Sequence, residues 1–209
     1  MVESMRVLFV FFAEGRAFDL QLLEERIRRD GKVFPDDVLK VDSFLNHQLD
    51  TTLLNAVGTE IAARYADMGV TKVLTAEASG IALACFVSLR LGCPALFAKK
   101  SRTSNISSGV WSAEAHSYTH GNDYTMIVSK EYLGESDIVL IVDDFLANGS
   151  ALNALWEICK KAGASVAGAG IAVEKTYPGG GDMLREEGLR VESMAKIASM
   201  DTEDGIRFC

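Results

Sequence analysis

The sequence predicts an α/β fold in which a twisted, mainly parallel sheet is covered by helices on both faces. The first observation is the apolar run Val-Leu-Ile-Val at residues 139–142, which is typical of a strand buried on both faces. The second is the loop of small residues and the helical pattern at residues 151–161 that follow this run. The third is that the same strand–loop–helix order occurs earlier, in residues 70–91. Strands and helices that alternate in this way form parallel sheets.

Size and composition fit one globular domain. The 209 residues can bury a sizeable core, and 48% hydrophobic and 24% charged residues are ordinary values for such a domain. The formal net charge of −8 argues against nucleic-acid binding, which requires basic patches. The four cysteines, Cys85, Cys93, Cys159 and Cys209, lack C-x-x-C spacing, so we expect free thiols in a reducing cytoplasm.

The first 19 residues differ from the rest of the chain. Residues 7–12 are strongly apolar, but this run is too short to span a bilayer. The segment also lacks the basic start and the small-residue cleavage site of a signal peptide. We therefore predict an extension of unknown role at residues 1–19, with a membrane anchor as the less favoured alternative, and one domain at residues 20–209.

Hydrophobic periodicity and turn residues place the other elements. Helices are predicted at residues 20–30, 50–68, 80–91 and 151–161, strands at 70–76, 95–98, 139–142 and 166–173, a hairpin at 110–128, and strand-like segments around Val191 and Ile206. Three helix starts carry a residue suited to capping. Asp50 or Thr51 precedes the second helix, Ser79 the third, and Asp182 a short helix near the C-terminus.

Two aspartates, Asp143 and Asp144, follow the apolar run directly, at the point where its strand is predicted to end. Ligands of open α/β sheets bind beyond the carboxyl ends of the strands. Carboxylates there can accept hydrogen bonds from sugar hydroxyls or help to hold Mg²⁺. A strand end with solvated acids is the alternative, but adjacent acids directly after a buried strand are unusual without a polar ligand.

The loop after the acids has the composition of an anion site. It consists of Ala147, Asn148, Gly149, Ser150 and Ala151, and it opens the next helix. The free N–H groups of a helix start can converge on an anion, and Asn148 and Gly149 suit the tight backbone that this requires. Ser150 can cap the helix or donate its hydroxyl to a phosphate oxygen. An anion site beside a hydroxyl-binding acid pair predicts a phosphorylated sugar as the ligand.

These residues resemble a known motif. An apolar strand that leads into two acids and a loop of small residues resembles the motif by which type I phosphoribosyltransferases bind phosphoribosyl pyrophosphate (PRPP). The commonest form has Thr-Gly in place of Asn148-Gly149, and the form Asp-Asp-Phe-Leu-Ala-Asn-Gly resembles the xanthine phosphoribosyltransferases. The resemblance extends to V-L-K-V-D-S-F-L-N-H-Q at residues 38–48 and to V-E-K at residues 173–175. It implies the type I fold, with a small hood formed by the N-terminal part and the segment after Lys175.

The resemblance also implies a function. It implies purine salvage, in which xanthine and PRPP give xanthosine 5′-monophosphate and pyrophosphate, with Mg²⁺ as the cofactor and a cytoplasmic homodimer as the assembly. Asp143 and Asp144 would be catalytic, residues 147–151 would bind PRPP, and no residue is assigned as a metal ligand of its own. The residues implied to contact xanthine are Leu39, Asn46 and Lys175. From the residues alone, Asn46 also fits a polar turn, and Lys175 also fits an ion pair with Glu174.

Two further loops are candidate parts of the site. Glu77-Ala78-Ser79-Gly80 is either a second anion loop or an ordinary capped helix start. Residues 99–103 are basic and precede a polar stretch at 104–109, so this loop could close over a pyrophosphate group and exclude water. His116 and His120 lack an ordered set of partners in the sequence, and we expect them to be structural or exposed.

Two alternative functions remain open at this point. One is the same transfer with guanine or hypoxanthine as the preferred base. The other is a non-catalytic regulator that senses PRPP, which would need a DNA-binding module and a basic face. Neither is visible in the sequence, and the net charge of −8 disfavours a regulator of this kind.

Overall fold

A computed structural model of the chain describes residues 21–100, 109–117 and 122–209. The predicted N-terminal extension, His120 and residues 101–108 of the basic loop lie outside the described residues. Among the residues that the structure describes, every helix is too short or too polar to cross a bilayer.

The strands form one large sheet and two hairpins. The strands are β1 (Lys32–Phe34), β2 (Val38–Lys40), β3 (Lys72–Ala76), β4 (Ala95–Ala98), β5 (Val110–Ser117), β6 (Asn122–Ser129), β7 (Ile138–Leu146), β8 (Ser165–Lys175), β9 (Val191–Asp201) and β10 (Gly205–Phe208). The large sheet has the order β10-β9-β8-β7-β3-β4, and β1-β2 and β5-β6 pair as antiparallel hairpins. All neighbours in the large sheet are parallel except β10, which runs antiparallel to β9. The predicted mainly parallel sheet is confirmed.

Helices cover both faces of this sheet. They are α1 (Gln21–Asp30), α2 (Thr51–Arg64), α3 (Gly80–Leu91), α4 (Ser150–Ala162) and α5 (Gly180–Glu186), with a π-helical turn at Asp42–Asn46 and a 3-10 turn at Ala66–Met68. Leu140 and Val142 belong to the core that contains α1, α2 and α3, whereas Val139 and Ile141 belong to the core that contains α4 and the β5-β6 hairpin. Successive strand residues face opposite sides, so the apolar run supplies both cores.

The acidic pair does not mark the end of its strand. Strand β7 runs on to Leu146, and Phe145 and Leu146 pair with Val173 and Glu174 of β8. The prediction that the strand ends at Asp143 is therefore wrong. The physical reason is that β8 is 11 residues long and offers backbone partners well beyond the apolar run.

The predicted helix caps have different outcomes. Asp50 caps α2, because its carboxylate accepts a hydrogen bond from the Leu53 N–H over 3.0 Å. Asp182 does not cap α5, because Gly179 occupies the capping position with φ +77°. Asp182 lies in the first turn and forms a 3.0 Å ion pair with Arg185 instead.

Two separate segments of the chain were expected to form a hood, and both reach the same edge of the sheet. The N-terminal β1-β2 hairpin reaches the end of β8, where the Lys175 ammonium donates a hydrogen bond to the Asp37 carbonyl. The segment after Lys175 contributes α5 at the same edge of the sheet and then returns to the sheet as β9 and β10.

Candidate active site

The acid pair is buried within β7. Only 8% of Asp143 and 6% of Asp144 is exposed, and the Asp143 carboxylate accepts a 3.0 Å hydrogen bond from the Asp144 N–H. Burial, together with the adjacent charge of Asp144, raises the pKa of Asp143 well above its ordinary value. Two carboxyl groups held this closely and out of water require a partner that donates hydrogen bonds or carries positive charge.

The first such partner comes from the loop after β3, the strand next to β7. The Ser79 hydroxyl donates a 2.9 Å hydrogen bond to Asp144. Ser79 lies at the N-terminal cap position of α3, as predicted, but its side chain makes no capping hydrogen bond. Gly80 gives the loop its close approach, because a Cβ there would lie 2.1 Å from the Thr75 hydroxyl oxygen and 3.0 Å from an Asp143 carboxylate oxygen. The Glu77–Ala78 peptide bond in this loop is cis.

The loop at residues 147–151 leads from β7 into α4 with backbone amides at its tip. Gly149 has φ +82°, and the Asn148 side chain accepts a 3.0 Å hydrogen bond from the Ser150 N–H. Asn153 is the first residue to donate back into the helix, to the Gly149 carbonyl over 2.8 Å. The amides of Ala151 and Leu152 precede this bond in the first turn, where an amide has no carbonyl acceptor within the helix, so they can serve an anion.

Ser150 is the first residue of α4, and its hydroxyl is oriented by the β5-β6 hairpin. The hydroxyl oxygen accepts a 2.7 Å hydrogen bond from the His116 backbone N–H. A hydroxyl has one proton to donate, and this arrangement leaves that proton for another acceptor. The His116 ring is exposed, as expected, and its Nδ1 lies 2.6 Å from an Asp123 carboxylate oxygen.

The three residues assigned to the base lie in different environments. Lys175 is half-buried at the end of β8, and its ammonium is bonded to the Asp37 carbonyl. Burial lowers the pKa of Lys175, and the Asp37 charge opposes that effect. Leu39 is in β2, two residues after Asp37, and is only 8% exposed. Asn46 is exposed at the end of the π-helical turn, and no hydrogen bond among the described residues joins it to Lys175.

The alternative reading of Lys175 as the partner of Glu174 is wrong. The Glu174 carboxylate is bound by both terminal nitrogens of Arg185, over 2.8 and 2.6 Å, and by the Ser193 hydroxyl over 2.5 Å. Burial opposes the ionisation of Glu174, but Arg185 and Ser193 outweigh it and hold the pKa of Glu174 below its ordinary value. Lys175 is thereby free of Glu174, and its ammonium donates to the Asp37 carbonyl of the β1-β2 hairpin instead.

The basic loop begins beside the acids. The Lys100 backbone N–H donates a 2.6 Å hydrogen bond to the Glu77 carboxylate, and the Lys100 ammonium lies 5.2 Å from the centre of the Tyr124 ring. The positive charge of Lys100 acts to lower the pKa of Asp143, against the larger effect of burial. Burial and the Asp143 charge together raise the pKa of Tyr124. Lys100, Tyr124 and the acid pair therefore share one electrostatic environment.

Sequence reasoning missed three contributions to this site. The sequence placed Ser79 in a candidate anion loop or at a helix cap but did not identify it as a donor to Asp144. The contact of His116 with Ser150 uses a backbone amide. The third contribution comes from a run of glycines at residues 179–181, where the Gly180 N–H donates a 3.1 Å hydrogen bond to the Ala147 carbonyl. That run was the one available signal, since three consecutive glycines permit a close approach of backbones. In the described part of the chain, no three His, Cys, Asp or Glu side chains cluster in a way that could hold a metal ion.

Comparison with known proteins places this geometry in a family. Residues 49–181, which include the acid pair and both loops, match the model of the phosphoribosyl transferase domain. A xanthine phosphoribosyltransferase from Lachnoclostridium phytofermentans is 49% identical over 186 residues, covering 89% of this chain and 96% of that relative. One from Bifidobacterium adolescentis is 50% identical over 184 residues, covering 88% of this chain and 95% of that relative.

Solved structures show the same fold at lower identity. An adenine phosphoribosyltransferase from Giardia lamblia matches with a TM-score of 0.71 at 24% identity, covering 83% of this chain and 97% of its own. One from Trypanosoma brucei matches with a TM-score of 0.70 at 16% identity, covering 83% and 79%. The type I fold is thus confirmed. The two bacterial relatives, which this chain matches over almost their full length, allow a narrower family assignment. The chain belongs to the phosphoribosyltransferase family and, within it, to the xanthine phosphoribosyltransferases.

Proposed function

We propose that this chain transfers the phosphoribosyl group of PRPP to xanthine, giving xanthosine 5′-monophosphate and pyrophosphate in purine salvage. The observation that carries the proposal is the continuity of β7, residues 147–151 and α4. This one segment presents two buried carboxyl groups and then a turn of backbone amides. The near-full-length relatives named as xanthine phosphoribosyltransferases support the choice of base.

The two parts of the segment suit the two parts of a phosphorylated sugar. Residues 147–151 would bind the 5′-phosphate through the amides at the start of α4 and through the Ser150 hydroxyl, whose oxygen already accepts a hydrogen bond from the His116 backbone N–H. Asp143 and Asp144 would accept hydrogen bonds from the ribose hydroxyls. Burial strengthens these interactions, because the acids are screened from water.

The reaction exchanges two bonds at the anomeric carbon. A ring nitrogen of xanthine supplies the electron pair of the new C–N bond, the C–O bond to pyrophosphate breaks, and its electron pair leaves with the pyrophosphate oxygen. The proton carried by the imidazole ring of xanthine is released to pyrophosphate or to water. The sugar ring gains positive charge in the transition state, and the adjacent carboxyl groups lower the cost of that charge. We assign most of the rate enhancement to positioning and electrostatics, because none of the described side chains at the acids is placed as an evident general base.

Lys175, Leu39 and Asn46 would hold the base. The Lys175 ammonium is a hydrogen-bond donor without acceptor capacity, so it favours an exocyclic oxygen of xanthine over an amino group. Leu39 would supply an apolar contact, and the Asn46 amide a donor and an acceptor. Two observations support these assignments. The V-L-K-V-D-S-F-L-N-H-Q and V-E-K segments carry the family resemblance, and Lys175 is half-buried beside the hairpin that carries Leu39.

Mg²⁺ fits the donors that are present. Protein sites for Mg²⁺ use one or two carboxylates together with substrate phosphate oxygens and water. Asp143 and Asp144 can supply such oxygens, whereas the described residues contain no cluster that would hold the ion without substrate. When bound, Mg²⁺ would neutralise charge on the leaving pyrophosphate. We further propose a cytoplasmic homodimer as the working form, on the basis of the family resemblance.

A competition assay tests the base. The protein is incubated with PRPP, Mg²⁺ and equal amounts of xanthine, guanine, hypoxanthine and adenine, and the nucleotides formed are separated and quantified. The proposal expects xanthosine 5′-monophosphate as the main product. Preferential formation of guanosine or inosine monophosphate would reassign the base, and the absence of any nucleotide would contradict catalysis of this transfer.

A further inference from the structure

The short helix α5 contacts both halves of the proposed site. Its first residues lie against the loop at 147–151, and its last turn carries Arg185, which binds the residue preceding Lys175. No motif of the sequence assigns a function to this helix. It follows Lys175 after a turn, so it connects the base side of the site to the phosphate side within a few residues.

The contact with the phosphate side is a backbone-to-backbone approach at Gly180. Its N–H donates a 3.1 Å hydrogen bond to the Ala147 carbonyl. A Cβ on Gly180 would lie 2.1 Å from the Asn148 carbonyl carbon and 2.4 Å from the Gly149 nitrogen. These are main-chain atoms, so they cannot give way as a flexible side chain would. Gly180 is therefore required for the loop to occupy its position.

The contact with the base side is an ion pair at the end of β8. Arg185 binds the fully buried Glu174 carboxylate with both terminal nitrogens, and the Ser193 hydroxyl completes the set. Such a bidentate pair fixes orientation as well as distance. A Cβ on Gly181 would lie 2.0 Å from the Glu174 carboxylate, so this glycine provides the room for the pair. Because Glu174 precedes Lys175 in β8, this ion pair with Arg185 of α5 fixes the backbone that carries Lys175.

We propose that α5 is a brace that sets the position of the phosphate loop relative to Lys175, with Gly180 and Arg185 as positioning residues. The inference rests on the proposed function, because it concerns where PRPP and the base lie relative to each other. A small displacement of bound reactants is enough to reduce rate strongly. A larger residue at Gly180 should mainly displace the loop at 147–151 and so weaken PRPP binding. A weaker contact between Arg185 and Glu174 should mainly displace Lys175 and so weaken binding of the base.

Two substitutions test the two contacts of α5 separately. Gly180→Ala is expected to raise the KM for PRPP about tenfold or more while raising the KM for xanthine much less, because its Cβ displaces the loop. Arg185→Lys keeps the charge but removes the bidentate contact, so it is expected to raise the KM for xanthine more than the KM for PRPP. The two variants should therefore shift the ratio of the two KM values in opposite directions.

Gly58→Ala is the matched control. Gly58 also has no positive φ, and a Cβ there would lie 2.7 Å from the Phe86 Cβ between α2 and α3, away from the loop. Its expected result is a lower melting temperature with both KM values unchanged, since KM does not depend on the amount of folded enzyme. A purely structural part for Gly180 and Arg185 would make their variants behave like this control.

Calorimetric titration with PRPP and Mg²⁺ distinguishes the possible failures. If the unsubstituted protein does not bind PRPP, the proposed function fails. If it does bind PRPP, and Gly180→Ala and Arg185→Lys leave the KM ratio unchanged, the brace is overturned while the function stands. Should Gly180→Ala not accumulate as folded protein, Arg185→Lys alone decides, because an unchanged KM ratio in that variant contradicts the proposal.

Discussion

The Ser79 hydroxyl donates a 2.9 Å hydrogen bond to the Asp144 carboxylate, and so joins the loop after β3 to the middle of β7. The two residues are 65 positions apart in the sequence and meet because β3 and β7 are parallel neighbours. The loop that resembled a second anion site thus fixes the orientation of one of the two acids. Another contact of this loop, from the Lys100 amide to the Glu77 carboxylate, leads to the basic loop.

Ser79→Ala should lower activity without disturbing the fold. Loss of a hydrogen bond to a charged group of this kind is worth about 1–3 kcal/mol, so kcat/KM is expected to fall roughly 5- to 150-fold. Steady-state rates with xanthine and PRPP measure this. Ser79→Thr retains the hydroxyl and should recover part of the loss. Equal rates for Ser79→Ala and the unsubstituted protein would remove Ser79 from the site.

Asp144→Ala is expected to abolish turnover while the protein stays folded. The acid is 6% exposed beside Asp143, so its removal relieves repulsion between two carboxyl groups and need not reduce the free energy of unfolding. Asp137→Ala is the control, because Asp137 immediately precedes β7 and pairs with Lys72 over 2.9 Å. It should lower stability and leave turnover per folded molecule intact. Turnover at the unsubstituted rate in Asp144→Ala would end the catalytic assignment.

Much of this site follows from local sequence, and the rest depends on which strands are neighbours. The run at 139–142, the acids and the loop at 147–151 are contiguous, so their relation is readable from residue order. The bonds of Asp144 to Ser79, of Ser150 to His116 and of Ala147 to Gly180 join distant segments. The bond between Ser79 and Asp144 depends on the order of the strands in the sheet. The other two bonds involve backbone groups, which every residue type has, so the residue types do not predict them.

Lys175→Ala should weaken xanthine binding more than PRPP binding. The Lys175 ammonium donates to the Asp37 carbonyl of the β1-β2 hairpin, and no hydrogen bond among the described residues joins it to the loop at 147–151. Its loss is therefore expected to remove a donor to the base. Calorimetry with each ligand tests this, and equal losses for both ligands would contradict the assignment. Lys161→Ala is the control, since that lysine also donates to a backbone carbonyl, that of Ser112, at the opposite end of α4 from the loop. Neither affinity should change in it.

The raised pKa of Asp143 predicts how stability changes with pH. Burial and the Asp144 charge raise that pKa, so between the unfolded and the folded pKa the folded protein retains a proton that the unfolded chain has released. The stability gained by retaining this proton is fully present below the unfolded pKa, about 3.9 for aspartate, and is lost as the pH rises through the raised folded pKa. Asparagine cannot ionise, so Asp143→Asn should unfold at higher urea concentration than the unsubstituted protein at pH 7, and the difference should shrink towards pH 4.

Asp137→Asn should show the opposite sign. Burial opposes the ionisation of Asp137, but hydrogen bonds from Lys72 and the Gly134 amide outweigh it and lower its pKa. Its contribution to stability is therefore present above the unfolded pKa and lost as the pH falls through the lowered folded pKa. This variant should be less stable than the unsubstituted protein at pH 7. Urea unfolding of both variants from pH 4 to pH 8 measures the two slopes, and a stability of Asp143→Asn at or below that of the unsubstituted protein at pH 7 would show that Asp143 is not held under electrostatic strain.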